Sequence, residues 1–99
     1  MQPDISIVIC TYNRQKFIGE CLACLAKQTL PVQKWEAIII DNNSTDDTAS
    51  IVKMFIDQHS GLPFRYVYEN NKGLSFARNR GIGEASASII CFIDDEQNG

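Results

Sequence analysis

The feature that most constrains this fold is a repeated switch between strand-like and helix-like apolar spacing. A continuous β-branched run from Ile5 to Cys10 is followed by an apolar stripe from Phe17 to Leu25 at helical spacing. The alternation recurs along the chain and ends with a fourth strand-like run, Ser88 to Ile93. The predicted order is β-α-β-α-β-α-β. It favours an α/β fold with a parallel sheet of about four strands and flanking helices.

The apolar runs also predict which strands are buried. The second run, Trp35 to Ile40, resembles the first and the fourth in being nearly continuous, which is typical of strands covered on both faces. The third run, Phe64 to Tyr68, is shorter and interrupted by polar residues. Cys10 and Cys91 lie inside apolar runs and are expected to be small buried hydrophobic residues.

Length and charge exclude several classes of protein. The 99 residues allow one domain, 1–99. A net charge of −3 argues against a binder of nucleic-acid phosphates, which usually has a basic face. The sequence contains no run of 18 apolar residues, and its first residues lack the basic segment of a signal peptide. We therefore expect a cytoplasmic location, with reduced cysteines.

Polar residues cluster directly after three of the predicted strands. The clusters are Thr11–Arg14, Asp41–Ser44 and Asp94–Glu96. If the strand order is 3-2-1-4, these three ends lie side by side at the switch between strands 1 and 4. Ligands of open α/β sheets bind at the carboxyl ends of the strands near such a switch point. The sequence therefore predicts a ligand site there, and we call the three clusters together the rim.

The acidic cluster Asp94–Glu96 has two interpretations. Three consecutive carboxylates repel each other at a half-buried strand end, and a divalent cation would remove that cost. Oxygen ligands favour Mg²⁺ or Mn²⁺ over Zn²⁺. The alternative is a solvated acidic turn. The position after a buried strand, beside the other two clusters, favours the cation.

The remaining rim residues leave their roles open. No glycine-rich loop follows the first strand, which excludes a dinucleotide site, and no P-loop occurs. Tyr12 could instead stack on a base and Asp41 could accept its N–H, or Asp41 could simply cap the second helix. Arg78 follows the apolar Ala77, so it either meets a carboxylate or phosphate partner or is solvated on the helix surface.

Taken in order, the motifs resemble family 2 glycosyltransferases of the GT-A fold. They are Ile7–Arg14, Leu25–Thr29, Ile38–Asp46, Asn71–Gly73 with Ala77–Gly81, and Phe92–Glu96. These are similar to the family's V-x-I-P-T-Y-N-R, L-x-x-Q-T, V-V-D-D-G-S-x-D, N-x-G with A-R-N-x-G, and F-L-D-x-D. Four positions depart from that pattern: Cys10 replaces a proline, Asn42 replaces an acid, Asn43 replaces a glycine, and Glu96 is the last acid of the final motif.

The resemblance implies a donor site in a Rossmann-like half of a GT-A fold. The residues it assigns to the nucleotide are Thr11, Tyr12, Arg14, Asp41, Asn42, Arg78 and Asp94. Those it assigns to a Mg²⁺ or Mn²⁺ ion are Asp94, Asp95 and Glu96. The implied activity is metal-assisted transfer of a sugar from a nucleoside diphosphate sugar, with UDP favoured. The implied acceptor is a saccharide or a lipid-linked molecule, and no nucleic acid is involved.

The resemblance also affects how the chain length is interpreted. In the family the catalytic base follows the acidic motif, so we expect residues 1–99 to be a truncated donor-binding domain that contains no catalytic residue and is inactive alone. A longer protein could act at the cytoplasmic face of the membrane. The apolar fourth strand would be left as a sheet edge, which predicts self-association. The alternative is a non-catalytic module that binds a nucleotide or a protein.

Overall fold

All four predicted strands and three helices are present. The computed structural model describes residues 2–96, with side chains as far as residue 94. The elements are β1 (Ile5–Tyr12), α1 (Ile18–Ala26), β2 (Trp35–Asp41), α2 (Thr48–Gln58), β3 (Phe64–Tyr68), α3 (Leu74–Glu84) and β4 (Ile89–Glu96). The strands form one parallel sheet in the predicted order β3-β2-β1-β4.

One face of the sheet is covered by α1 and α2. Ile9 of β1 packs there against Leu22 of α1 and Val52 of α2, and all three side chains are fully buried. Trp35 and Phe64 extend this cluster in an edge-to-face contact, with their ring centroids 5.6 Å apart. Because burying a large aliphatic side chain contributes about 1.5–3 kcal/mol, this cluster is a major source of folding free energy.

The other face is covered by α3, which approaches the sheet very closely. Val8, Ile38 and Ala77 are fully buried in its core cluster. A Cβ built on Gly81 would lie 2.3 Å from Cγ1 of Val8, far inside van der Waals contact. Gly81 lowers the helix propensity of this segment, but its missing side chain lets α3 pack directly on β1.

Strand β4 is the least covered part of the sheet, contrary to the expectation of burial on both faces. Ile89 is 56% exposed and Phe92 is 39% exposed. Cys91 is also exposed, so the expectation that it is buried is wrong, whereas Cys10 is buried as expected. The reason is that β4 pairs only with β1, while α3 lies mainly against β1 and β2.

A half-buried carboxylate joins the amino ends of the strands to the segment before β4. Glu36 accepts hydrogen bonds from the Ser6 hydroxyl at 2.6 Å and from the Ser86 N–H at 2.7 Å. Burial by itself raises the pKa of Glu36, but these two donors and the nearby Arg65 hold the pKa below its usual value. The start of β4 is thereby fixed against β1 and β2. No described helix has the length and apolarity needed to cross a membrane.

Candidate functional site

The loops that follow β1 and β2 are hydrogen-bonded to each other. Asn13 lies in the left-handed region at φ 51°, its N–H donates to the Ser44 hydroxyl at 2.9 Å, and its side-chain oxygen accepts the Thr45 N–H at 2.8 Å. The Arg14 N–H donates to the Thr48 hydroxyl at 2.9 Å. The loops after β1 and β2 are therefore joined to each other by at least three hydrogen bonds.

Asp41 is fully buried at the end of β2, and both of its oxygens accept hydrogen bonds. One oxygen accepts the Ser44 N–H at 3.1 Å and the other accepts the Tyr66 hydroxyl at 2.7 Å. Burial and this carboxylate raise the pKa of Tyr66 above its usual value. The bonds close the turn after β2. Because α2 begins only at Thr48, Asp41 caps that turn rather than the helix.

Asn42 ties the loop after β3 to the end of β2. Its buried amide donates to the Asn71 carbonyl at 2.7 Å and accepts the Gly73 N–H at 2.9 Å. The Asn71 N–H also donates to Glu69 at 2.8 Å. Because a carboxylate could accept from Gly73 but could not donate to Asn71, an amide suits position 42 better than the acid of the family motif.

Lys72, between the two residues held by Asn42, reaches across the rim to β1. Its ammonium nitrogen lies 4.2 Å from the centroid of the Tyr12 ring. This distance is within the range of a cation–π interaction. In the described structure, therefore, one face of Tyr12 is covered by a lysine.

Arg78 and Asp94 form an ion pair between α3 and β4. Arg78 Nε donates to Asp94 Oδ1 at 3.4 Å, and Nη2 donates to Oδ2. The Arg78 side chain is 46% exposed and that of Asp94 is 33% exposed. Of the two alternatives for Arg78, the structure therefore shows the carboxylate partner, and both groups remain accessible to solvent.

The acidic cluster lies within β4 and does not form a turn after it. The backbone of β4 stays paired with β1 through the register Cys10–Asp94, Thr11–Asp95 and Tyr12–Glu96. This corrects the alternative of a solvated acidic turn. The predicted metal ligands Asp95 and Glu96 have side chains outside the described residues. Among the side chains that the structure does describe, no three His, Cys, Asp or Glu residues are grouped so that they could hold a metal ion.

The remaining predicted residues border the same edge. The Thr11 hydroxyl is buried at the end of β1 and has no hydrogen-bond partner among the described residues. The Arg14 guanidinium lies 4.4 Å from the centroid of Phe17, which is 47% exposed although it belongs to the predicted apolar stripe. A cavity of about 280 Å³ lies beside Arg14, lined by Asn13, Gln15, Lys16, Phe17 and Asp46. It does not include Asp41, Arg78 or Asp94.

Sequence reasoning missed four residues that shape the site: Asn13, Tyr66, Lys72 and Gly81. Asn13 and Lys72 lie inside motifs that were singled out, so their positions were visible but not their partners. Tyr66 belongs to a different strand from Asp41, and nothing in the linear sequence relates the two. Gly81 ends the Ala77–Gly81 motif, but its close approach to Val8 exists only in the folded chain.

The fold is that of GT-A glycosyltransferases. The mannosyltransferase PcManGT from Pyrobaculum calidifontis, in complex with GDP-Man and Mn²⁺, superposes with a TM-score of 0.88 at 29% identity, covering 95% of this chain and 28% of that one. Residues 1–349 of S. aureus TarS in complex with UDP give a TM-score of 0.82 at 30% identity, covering 93% and 27%.

Sequence comparison identifies the family. The model described as Glycosyl transferase family 2 matches residues 6–96, so the chain belongs to this family, as its motifs predicted. The glycosyltransferase AglE of Haloferax volcanii is 33% identical over 94 residues, which cover 95% of this chain and 31% of AglE. The chain thus spans about a third or less of the length of these relatives.

Proposed function

We propose that this chain forms the donor-binding part of a metal-assisted glycosyltransferase that uses a nucleoside diphosphate sugar. The observation that carries the proposal is a pair of contacts at the carboxyl ends of the neighbouring strands β1 and β4: Lys72 lies over Tyr12, and Arg78 pairs with Asp94. An aromatic ring, cations and a carboxylate are the groups needed for a base, a diphosphate and a divalent cation. Relatives solved with GDP-Man and Mn²⁺ and with UDP support the same assignment.

Each rim residue has a role in this proposal. Tyr12 stacks on the base, and Thr11 and Arg14 border the nucleotide. Within the described part of the chain the buried hydroxyl of Thr11 has no hydrogen-bond partner, which suits a group positioned for a ligand. Asp41 and Asn42 are the base-side residues, and they also hold the turn after β2 and the loop at Asn71 in place.

The carboxylate of Asp94 fits a Mg²⁺ or Mn²⁺ ion because it is a hard oxygen donor, partly exposed at the rim. Asp95 and Glu96 are the proposed further ligands. A bound ion of this kind offsets the negative charge of a departing diphosphate. Arg78 lies against Asp94 and is placed to donate to the same diphosphate. UDP is the favoured nucleotide, and the acceptor is a saccharide or a lipid-linked molecule.

Residues 1–99 alone are proposed to bind the donor without completing the transfer. A base that deprotonates an acceptor hydroxyl needs an available carboxylate or imidazole. Asp41 is fully buried with both oxygens bonded, and Asp94 is paired with Arg78. Asp46 accepts hydrogen bonds from Thr48, which offset its burial and lower its pKa. These three described acids, two in the rim and one beside it, are therefore poorly suited to that role.

The test is calorimetry on the 99-residue chain with UDP and with GDP, each with and without MnCl₂. We expect UDP binding that depends on Mn²⁺ and is lost in Asp94→Asn. Asp57→Asn, an exposed acid on α2, is the matched control and should bind like the wild type. If neither nucleotide binds with Mn²⁺, the donor-site proposal is wrong and a non-catalytic module is favoured. Sugar transfer by this chain alone would contradict only the proposal that it is inactive.

A further inference from the structure

The ammonium group of Lys72 lies over Tyr12, the residue proposed to stack on the base. The nitrogen is 4.2 Å from the ring centroid. A flat base stacked on that face would need the same space, so the lysine and the base cannot occupy it together. The described structure therefore shows one of the two faces on which a base could stack on Tyr12 covered by the side chain of Lys72.

The backbone of Lys72 is fixed, whereas its side chain is able to move. Asn42 holds both neighbours through its contacts with the Asn71 carbonyl and the Gly73 N–H. The side chain beyond this anchor is exposed, and among the described residues it makes no ion pair. A flexible four-carbon stem on a fixed backbone can redirect its charge without moving the loop.

The interaction of Lys72 with Tyr12 is weak compared with the contact a diphosphate would offer. A cation–π contact at an exposed site contributes about 0.5–1 kcal/mol. A hydrogen bond to a charged partner contributes more, about 1.5–3 kcal/mol. An ammonium group displaced from the ring by a base would therefore gain by donating to the phosphates attached to that base.

We propose that Lys72 is a nucleotide-binding residue that exchanges between two positions. Without ligand its ammonium covers Tyr12, and with a nucleoside diphosphate it leaves the ring to the base and donates to the diphosphate. This inference rests on the proposed donor site and identifies a residue that selects the charged nucleotide. An uncharged nucleoside must displace the lysine without giving it a new partner, whereas a nucleoside diphosphate supplies one.

The exchange predicts effects of opposite sign for two ligands. Calorimetry on the 99-residue chain with MnCl₂ would compare uridine and UDP in the wild type, Lys72→Met and Lys72→Arg. Methionine removes the charge and retains a flexible apolar stem. We expect Lys72→Met to raise the affinity for uridine about twofold to fivefold and to lower the affinity for UDP roughly tenfold. Lys72→Arg should keep UDP binding within about threefold.

Lys53→Met is the matched control. Lys53 also lies over a tyrosine, with its ammonium 4.9 Å from the Tyr66 ring centroid, but it belongs to α2 rather than to the loop after β3. This variant should change neither affinity. Circular dichroism would establish that all variants are folded.

Two results would overturn the exchange while leaving the donor site intact. In one, Lys72→Met binds UDP as tightly as the wild type, so that the lysine makes no phosphate contact. In the other, Lys72→Met lowers the uridine and UDP affinities by the same factor, so that the lysine only supports the base. If the wild type binds no UDP even with Mn²⁺, the donor-site proposal fails first and the exchange fails with it.

Discussion

The two faces of the sheet are stabilised in different ways. The face under α1 and α2 is filled by large side chains such as Leu22 and Trp35. The face under α3 has smaller residues and achieves contact by close approach, with Gly81 directly against Val8. Lys72 precedes α3 and Arg78 lies on it. The comparison teaches that the position of α3 decides where the candidate ligand-binding cations lie.

The largest expected effect comes from Gly81→Ala. The added Cβ would meet Val8 at 2.3 Å and force α3 away from β1. We expect a loss of about 2–3 kcal/mol in the free energy of unfolding, which is typical of overpacking. Urea denaturation followed by circular dichroism measures it.

Gly83→Ala is the control for this effect, because no atom of the described residues lies within 4 Å of its added Cβ. Alanine should stabilise α3 there by about 0.5 kcal/mol through helix propensity. Equal destabilisation by the two variants would show that backbone freedom, and not the contact with Val8, makes Gly81 important.

The next effect tests how the loop before α3 is held. Asn42→Ala removes the hydrogen bonds to Asn71 and Gly73 at a buried position. We expect the free energy of unfolding to fall by about 1–3 kcal/mol, because buried polar groups lose their partners. Asn42→Asp should destabilise as well, since it sets a carboxylate against the Asn71 carbonyl. Asn70→Ala, at an exposed neighbour, should be neutral. Wild-type stability for Asn42→Asp would contradict the requirement for an amide.

A smaller effect concerns the ion pair between α3 and β4. Arg78→Ala removes the cation that competes with a metal ion for Asp94. Exposed ion pairs contribute about 0.2–1 kcal/mol, so the variant should bind Mn²⁺ alone up to about fivefold more tightly. It should bind UDP with Mn²⁺ more weakly, because the proposed donor to the diphosphate is gone. Titration calorimetry measures both affinities.

Arg80→Ala, which breaks pairs with Glu69 and Glu84 instead, should leave the Mn²⁺ affinity unchanged. A weaker affinity for Mn²⁺ alone in Arg78→Ala would mean that Arg78 supports the metal site and does not compete with it.

The smallest expected effect lies at the β4 edge. We propose weak self-association of the chain there, because an uncovered apolar edge strand exposes Ile89, Cys91 and Phe92. Light scattering on the reduced protein should show the mass rising at roughly millimolar concentration, where weak contacts populate. Phe92→Ser should abolish the rise, whereas Phe76→Ser, at an exposed aromatic residue on α3, should not. A monomer at all concentrations would refute the proposal.

Much of the fold could be predicted because its signals are local. Apolar spacing predicted the four strands and the first helix within a few residues. The strand order that would bring the polar clusters after β1, β2 and β4 side by side is the order observed. The acidic cluster was predicted to follow the fourth strand, whereas β4 continues through it to Glu96. Burial of β4 was predicted wrongly, because an apolar run shows that a strand can be covered but not what covers it.

The sequence indicated candidate residues for the site but not the contacts that these residues make. The motifs pointed to Asp41, Arg78 and Asp94, and the structure brings the last two into one ion pair. No local pattern indicates that Asp41 holds Tyr66, or that Lys72 covers Tyr12. Such contacts join residues from different strands and loops, so they depend on how the sheet and helices are assembled.

By itself the sequence determined the order of elements, the parallel sheet, the family and the position of the rim, because each follows from spacing or motif within a short segment. Only the tertiary structure decided the close approach of α3 at Gly81, the hydrogen bonds of Asn42 to the loop after β3, and the exposure of β4. These depend on distances between segments far apart in the chain, which packing and hydrogen bonding set once the whole sheet has formed.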